Sequence, residues 1–210
     1  AVVEPGARIG TGCEIGPFCW IGPHVELGEN VVCSSHVVIR GQTKVGSETR
    51  IFSFAVIGVI PQDLKFKGEV SQLKIGQGNT IREHVTINLG TQGGGGVTSI
   101  GDDCLLMAGC HIAHDAHLGN RVIIVNSAAI AGHVIIEDEV IVGGLCGVHQ
   151  FVRLGRGAII GAVTMVTNDV IPFGLVQASR GELDGLNLVG LKRRGVDRKD
   201  ITALRAAFQM

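Results

Sequence analysis

The sequence predicts an all-β fold wound from short strands, and three observations carry that prediction. The chain repeats every six residues, an aliphatic residue opens nearly every repeat, and 32 of its 210 residues are glycine while none is tyrosine. Counted from Val3, the blocks read VEPGAR, IGTGCE, IGPFCW, IGPHVE, LGENVV, CSSHVV, IRGQTK, VGSETR and IFSFAV. Glycine often stands second, and a small or β-branched residue stands fifth. Neither a helical period of 3.6 nor simple alternation sustains this pattern. A short strand followed by a tight corner does, with the second-position glycine expected to supply the backbone bend.

Three strands close one triangular coil of 18 residues, with first and fifth positions inward, and about 25 blocks then stack roughly eight coils about 40 Å high. The hexapeptide pattern resembles the left-handed parallel β-helix, an exception to the usual right-handed crossover. The expected organisation is a β-helix over 1–172, carrying two protruding loops, and a helical segment over 173–210 that is cut short. The loops are GVIPQDLKFKGEVSQ at 58–72 and LGTQGGGGVTS at 89–99, too polar or too glycine-rich to coil. After them, twelve blocks run from Ile100 to Ile171. The GGGG run has no helix N-terminus behind it to make a phosphate cradle, so it reads as a flexible flap.

Cys13, Cys19, Cys104, Cys110 and Cys146 fall at the small fifth position, and Cys33 opens a block. No CxxC pair occurs, and reduced core thiols in a cytoplasmic protein are expected. A formal charge of −1 and a pI near 6.8 give no reason to expect nucleic acid or an anionic membrane. No apolar run approaches the roughly 20 residues that span a bilayer. The first residues lack a signal peptide and an initiator Met, so a trimmed start is expected. Beyond Pro172, Asp197 is placed to cap a helix with Asp200 three residues on, and Ile201, Leu204 and Phe208 share one face. From Lys192 to Arg205 six basic residues stand against two acidic, which suits either a solvated face or a docking surface for an anionic partner.

The segment HIAHD at 111–115 carries the chemistry. With 18 residues per coil, His114 stacks beneath Gly132 and Gln150, Asp115 beneath His133, and Ala113 beneath Ala131 and His149. His111 lies on the preceding block. Imidazoles at open positions can bind zinc, but Asp115 follows His114 directly and can orient its ring as a general base requires. No Ser or Cys sits in an elbow motif, so a covalent acyl-enzyme has no candidate. A base worth about 10²–10⁴ in rate beside the Gly132 N–H, an oxyanion donor worth roughly 3–4 kcal/mol, suits acyl transfer.

The chain resembles the UDP-N-acetylglucosamine 3-O-acyltransferase family, which opens bacterial lipid A synthesis. The resemblance rests on SHVVIRGQTKVG, QDLK at 62–65, NTIREHVTI at 79–87, HIAHD, AGH at 131–133, VHQF at 148–151 and GLKRRG at 190–195. It implies a cytoplasmic homotrimer with sites between neighbouring subunits. It further implies a 3-hydroxyacyl donor on acidic acyl carrier protein, no cofactor beyond the carrier's phosphopantetheine, no metal and no membrane insertion. By that likeness His114 is the base, Asp115 orients it and Gly132 holds the oxyanion. Asp63 would contact the acyl 3-hydroxyl with Gln62 and Lys65 nearby. His111, His133, His149 and Gln150 would line the cleft, Asn187 and Arg193 would bind the nucleotide end, and Ala162 would belong to an acyl-length ruler. The basic 192–205 stretch would then face the carrier protein and phosphates. The family often carries His-Arg after VTI, where this chain has Asn88 and Leu89, which leaves open a 3-hydroxyl or a 3-amine acceptor. A zinc β-helix enzyme is the remaining alternative.

Overall fold

A computed structural model describes residues 1–178 and 185–208. Two units divide the chain, Ala1–Ala178 and Ser179–Met210. The first is a left-handed parallel β-helix of three flat faces. Strands three apart in sequence pair, except that the last strand pairs two back, giving sheets of nine, eight and nine strands. The first sheet runs from Val2–Val3 to Met165–Val166, the second from Arg8–Ile9 to Arg153–Leu154, and the third from Glu14–Ile15 to Leu175–Val176. The last strand lies beyond Pro172 and pairs with Ile159–Ile160, so the coil extends past the expected boundary at 172.

The interior is the column of first and fifth positions. Ile112, Ile130 and Val148 stack on the first sheet and Leu106, Ile124 and Val142 on the third, all buried. All six cysteines are free, and five are buried while Cys13 is half-buried. Burial in the apolar column pushes the thiols of Cys33 and Cys110 up to about 12 and that of Cys104 to about 11, so they remain protonated at neutral pH. Replacing a column residue leaves a void that rigid ladders cannot close. Ile124→Ala, on the third sheet, is expected to cost about 2–5 kcal/mol. A lower midpoint in chemical denaturation checks this, and an unchanged midpoint would contradict the packing assigned to Ile124.

The corners differ from expectation in an instructive way. The left-handed residue is the fourth of most blocks, as at Asp115 (φ 57°), His133 (φ 63°) and Phe151 (φ 67°). Second-position glycines meet a different need. A Cβ on Gly10 would lie 2.3 Å from the Gly28 carbonyl oxygen, and one on Gly101 would lie 2.5 Å from that of Gly119. Glycine is required there because the next coil's backbone occupies the side-chain space, not because of the bend.

Both excursions are shorter than expected. Gly58 and Val59 complete the strand Val56–Val59, and Gln72 opens Gln72–Ile75, so the first excursion is 60–71. Val97–Ser99 pair with Gln72–Lys74, so the second is 89–96. In the second unit, helix α1 (Leu188–Arg193) is capped by Asn187, whose side chain accepts from the Gly190 N–H at 2.8 Å. Helix α2 (Arg198–Phe208) begins after Asp197, whose carbonyl accepts from the Asp200 and Ile201 amides. Of its expected apolar stripe, Ile201 is buried while Leu204 and Phe208 are exposed.

Candidate active site

The outward residues of the first sheet form a ladder in strict register: Thr86, His111, Ala129, Gly147 and Met165. The small side chains at 129 and 147 leave a trough between His111 below and Met165 above. Met165 folds over Gly147, its Cε 3.0 Å from where a Cβ on that glycine would stand. Beside the trough, the corner that leads to the second sheet carries His114, Gly132 and Gln150 on successive coils. Trough and corner together enclose a cleft of about 400 Å³, lined also by Gln62, Asn88 and His149.

His114 is held from behind. Its Nδ1 lies 2.8 Å from Asp115 Oδ2. An ionised carboxylate only accepts, so in the neutral imidazole Nδ1 carries the hydrogen and Nε2 the lone pair. The ring lies flat against the Gly132 α-carbon, where a Cβ would come within 2.6 Å of Cε1 and 2.8 Å of Nε2. The Gly132 N–H donates to no group among the described residues and remains available in the cleft wall. Asp115 is 1% exposed and takes three hydrogen bonds. Besides His114, the Thr91 N–H donates to Oδ1 at 2.8 Å and the Thr91 hydroxyl to Oδ2 at 2.6 Å. Its own N–H donates to Thr98 Oγ1 at 2.8 Å, which fixes the left-handed corner.

The other histidines have distinct settings. His111 Nδ1 meets Thr86 Oγ1 at 2.7 Å; burial, with His114 nearby, holds its pKa below the ordinary value. His133 stacks on Phe151 at 4.5 Å and meets His114 edge-on at 5.0 Å. Its pKa is lowered by burial, against the upward pull of Asp115. Both imidazoles therefore rest neutral at neutral pH. His114, Asp115 and His133 bring three potential ligand atoms within 4.8 Å of one another, so the third group a zinc reading needs comes from the same chain. Those carboxylate oxygens are already engaged by Thr91 and His114, an arrangement of donors around a base rather than of lone pairs around a cation.

The cleft gathers Gln62, His111, His114, Gly132, His149 and Gln150 from the sequence candidates. Asp63, Lys65 and His133 instead line a hollow of about 770 Å³ under the 60–71 excursion, with Thr91 and Phe151. Ala162 lines neither: it stands exposed in the corner at the opposite edge of the first sheet, and Met165 bounds the cleft instead. Asn187 and Arg193 lie in the second unit, the first as the α1 cap and the second in the last turn of α1. Thr91 and Met165 join these groups without having been sequence candidates. The 18-residue stacking that joined His114 to Gly132 also joins His111 to Met165, whereas Thr91 sits in an excursion whose length breaks that count. Nor is the glycine run a free flap, since Gln92–Gly94 form a short turn seated against Asp115.

Comparison with known proteins gives a consistent family. A family model described as UDP N-acetylglucosamine O-acyltransferase, domain 2, matches residues 169–210, and one for bacterial transferase hexapeptides (six repeats) matches 98–132. The acyl-[acyl-carrier-protein]–UDP-N-acetylglucosamine O-acyltransferase of Paracoccus denitrificans is 70% identical over 155 residues, covering 74% of this chain. The matched stretch spans 59% of that relative's length. A solved UDP-N-acetylglucosamine acyltransferase is 45% identical with a TM-score of 0.84, covering 100% of this chain and 80% of that one. The UDP-N-acetylglucosamine acyltransferase of Campylobacter jejuni is 42% identical with a TM-score of 0.82, covering 99% of this chain and 81% of that one.

Proposed function

Because the chain belongs to the UDP-N-acetylglucosamine O-acyltransferase family, we propose that it moves a 3-hydroxyacyl group from acyl carrier protein to the 3-hydroxyl of UDP-N-acetylglucosamine, the opening step of lipid A synthesis. The observation that carries this reading is the His114–Asp115 pair, with its free Nε2 lying over Gly132 in an apolar-walled cleft. His114 Nε2 takes the proton of the sugar hydroxyl as its oxygen attacks the thioester carbonyl. The Gly132 N–H receives the oxyanion of the tetrahedral intermediate. Collapse breaks the carbon–sulfur bond, and the imidazolium returns its proton to the departing phosphopantetheine thiolate. No covalent acyl-enzyme and no further cofactor are required.

The trough over Ala129 and Gly147 takes the acyl chain, with Met165 at its upper end within one chain, and Ala162 keeps its place in the acyl-length ruler through the neighbouring copy. Asp63 and Lys65, in the neighbouring hollow, serve polar groups of the substrates, with Gln62 and Gln150 at the cleft itself. Asn187 and Arg193 are assigned to the nucleotide end, and the basic stretch 192–205 to the acidic carrier protein. A homotrimer in the bacterial cytoplasm is the proposed working form. The exposed apolar side chains of Leu145 and Val163, at the corner before the first sheet, and of Met165 on it support coverage by a second copy. Six free thiols suit a reducing compartment, and no helix among the described residues is long and apolar enough to cross a membrane.

A 3-amine is the competing acceptor, favoured by one observation. Asn88 lines the cleft, is buried, and keeps an Oδ1 without a hydrogen-bond partner. An amine nucleophile has a second hydrogen to give that oxygen after His114 takes the first.

Release of carrier thiol from a 3-hydroxyacyl carrier protein tests the reading directly. It should occur only when UDP-N-acetylglucosamine is present, and sugar-independent release would contradict it. Arg193→Ala should raise the nucleotide-sugar KM about tenfold with little change in kcat, the mark of a binding contact made equally in ground and transition states. A loss confined to kcat would remove Arg193 from the nucleotide site.

A further inference from the structure

The 89–96 excursion has no task in the mechanism above, yet it is built onto Asp115, the one buried carboxylate among the described residues. Thr91 reaches that carboxylate twice, through its N–H to Oδ1 at 2.8 Å and through its hydroxyl to Oδ2 at 2.6 Å. The oxygen that takes the hydroxyl is the same one that holds His114 Nδ1 at 2.8 Å. With Thr91 6% and Asp115 1% exposed, water cannot substitute for these donors. Gly94 closes the remaining side. A Cβ there would lie 2.0 Å from Asp115 Cγ, so only glycine lets the turn sit down on the carboxylate. Part of the glycine run thus has a specific duty.

Two donors on one carboxylate do two things. They fix the orientation in which it faces His114 Nδ1, and they draw negative charge away from the oxygen that the imidazole uses. A carboxylate deprived of the hydroxyl would hold imidazolium more tightly, leaving less neutral base at a given pH. We propose that Thr91 is a positioning residue for acyl transfer, fixing Asp115 and moderating its pull on His114. This rests on His114 being the base. The other titratable groups around the pair are His133, whose Nδ1 is 3.9 Å from Oδ2, His111, His117 and Asp63. Of these, His133 faces the same Oδ2 and feels its upward pull, so a change at Thr91 moves it in the same direction as His114.

The test is the pH dependence of kcat/KM for wild type, Thr91→Val and Thr91→Ser, with thermal unfolding as the check on folding. Valine preserves the shape and the backbone N–H and removes only the hydroxyl. Thr91→Val should move the midpoint of the acidic limb upward by about half to one pH unit and so lower kcat/KM about three- to tenfold below that midpoint. Thr91→Ser, which restores the hydroxyl, should return the midpoint toward wild type. An unmoved midpoint in folded Thr91→Val, or a serine variant displaced as far as the valine one, overturns the proposal. Should Thr91→Val fail to fold, Gly94→Ala carries the same test, because its methyl group lifts the turn from Asp115 and should shift the limb in the same direction. A wild type without transfer, or without an acidic limb, would instead strike down the assignment of His114. That outcome is distinct from an active wild type whose limb ignores Thr91.

Discussion

His114→Ala is expected to lose more than a hundredfold in kcat while folding as the wild type does. The ring stands outside the hydrophobic column, with its Nε2 toward the cleft, so its removal takes nothing from the core. A general base contributes about 10²–10⁴ in rate, and a hundredfold loss corresponds to about 2.7 kcal/mol of transition-state stabilisation. Steady-state kinetics beside thermal unfolding would show it. A folded variant with full activity would end the base assignment and leave Asp115 a structural corner residue.

Gly132→Ala should be nearly as damaging, for a reason that geometry states in advance. The added methyl would lie 2.6 Å from His114 Cε1, and the imidazole ring must move to admit it. Gly132 has no left-handed backbone angle, so alanine carries no conformational strain there, and the whole effect falls on the ring and the oxyanion donor beside it. A displacement near 1 Å in a reacting group costs about a hundredfold. The loss should appear in kcat with the nucleotide-sugar KM little changed. A crystal structure of the variant with His114 in place, together with unimpaired kcat, would contradict the contact.

Much of this was legible in the sequence because a β-helix is a counting fold. Once a coil is 18 residues, His114, Gly132 and Gln150 must stack, and so must Asp115 and His133. The ladder confirms the count: the His133 amide donates to the His114 carbonyl, and the Phe151 amide to that of Gly132. What the count did not reach lies where the period breaks or where backbones meet. Thr91 and Gly94 belong to an excursion of irregular length, and no spacing rule returns them to Asp115. Glycine's tolerance of a bend points the second-position glycines to the corner. Coil-to-coil closeness, which needs the neighbouring coil's coordinates, is their actual cause, and residues as large as Phe151 occupy the left-handed fourth position. Met165 was within reach of the same arithmetic, applied to sixth positions instead of third ones.

In the proposed reaction this cleft joins an acyl group to a sugar oxygen by base catalysis. The measurement that tests it most directly is the mass and linkage of the product formed from 3-hydroxyacyl carrier proteins of several lengths with UDP-N-acetylglucosamine and its 3-amino analogue. An ester from the hydroxyl sugar, formed by wild type and lost in His114→Ala, is the predicted result. Its preferred chain length would report the acyl-length ruler. An amide from the amino sugar alone would contradict the acceptor assigned here and place its cause at Asn88, whereas no product from either sugar would contradict acyl transfer itself.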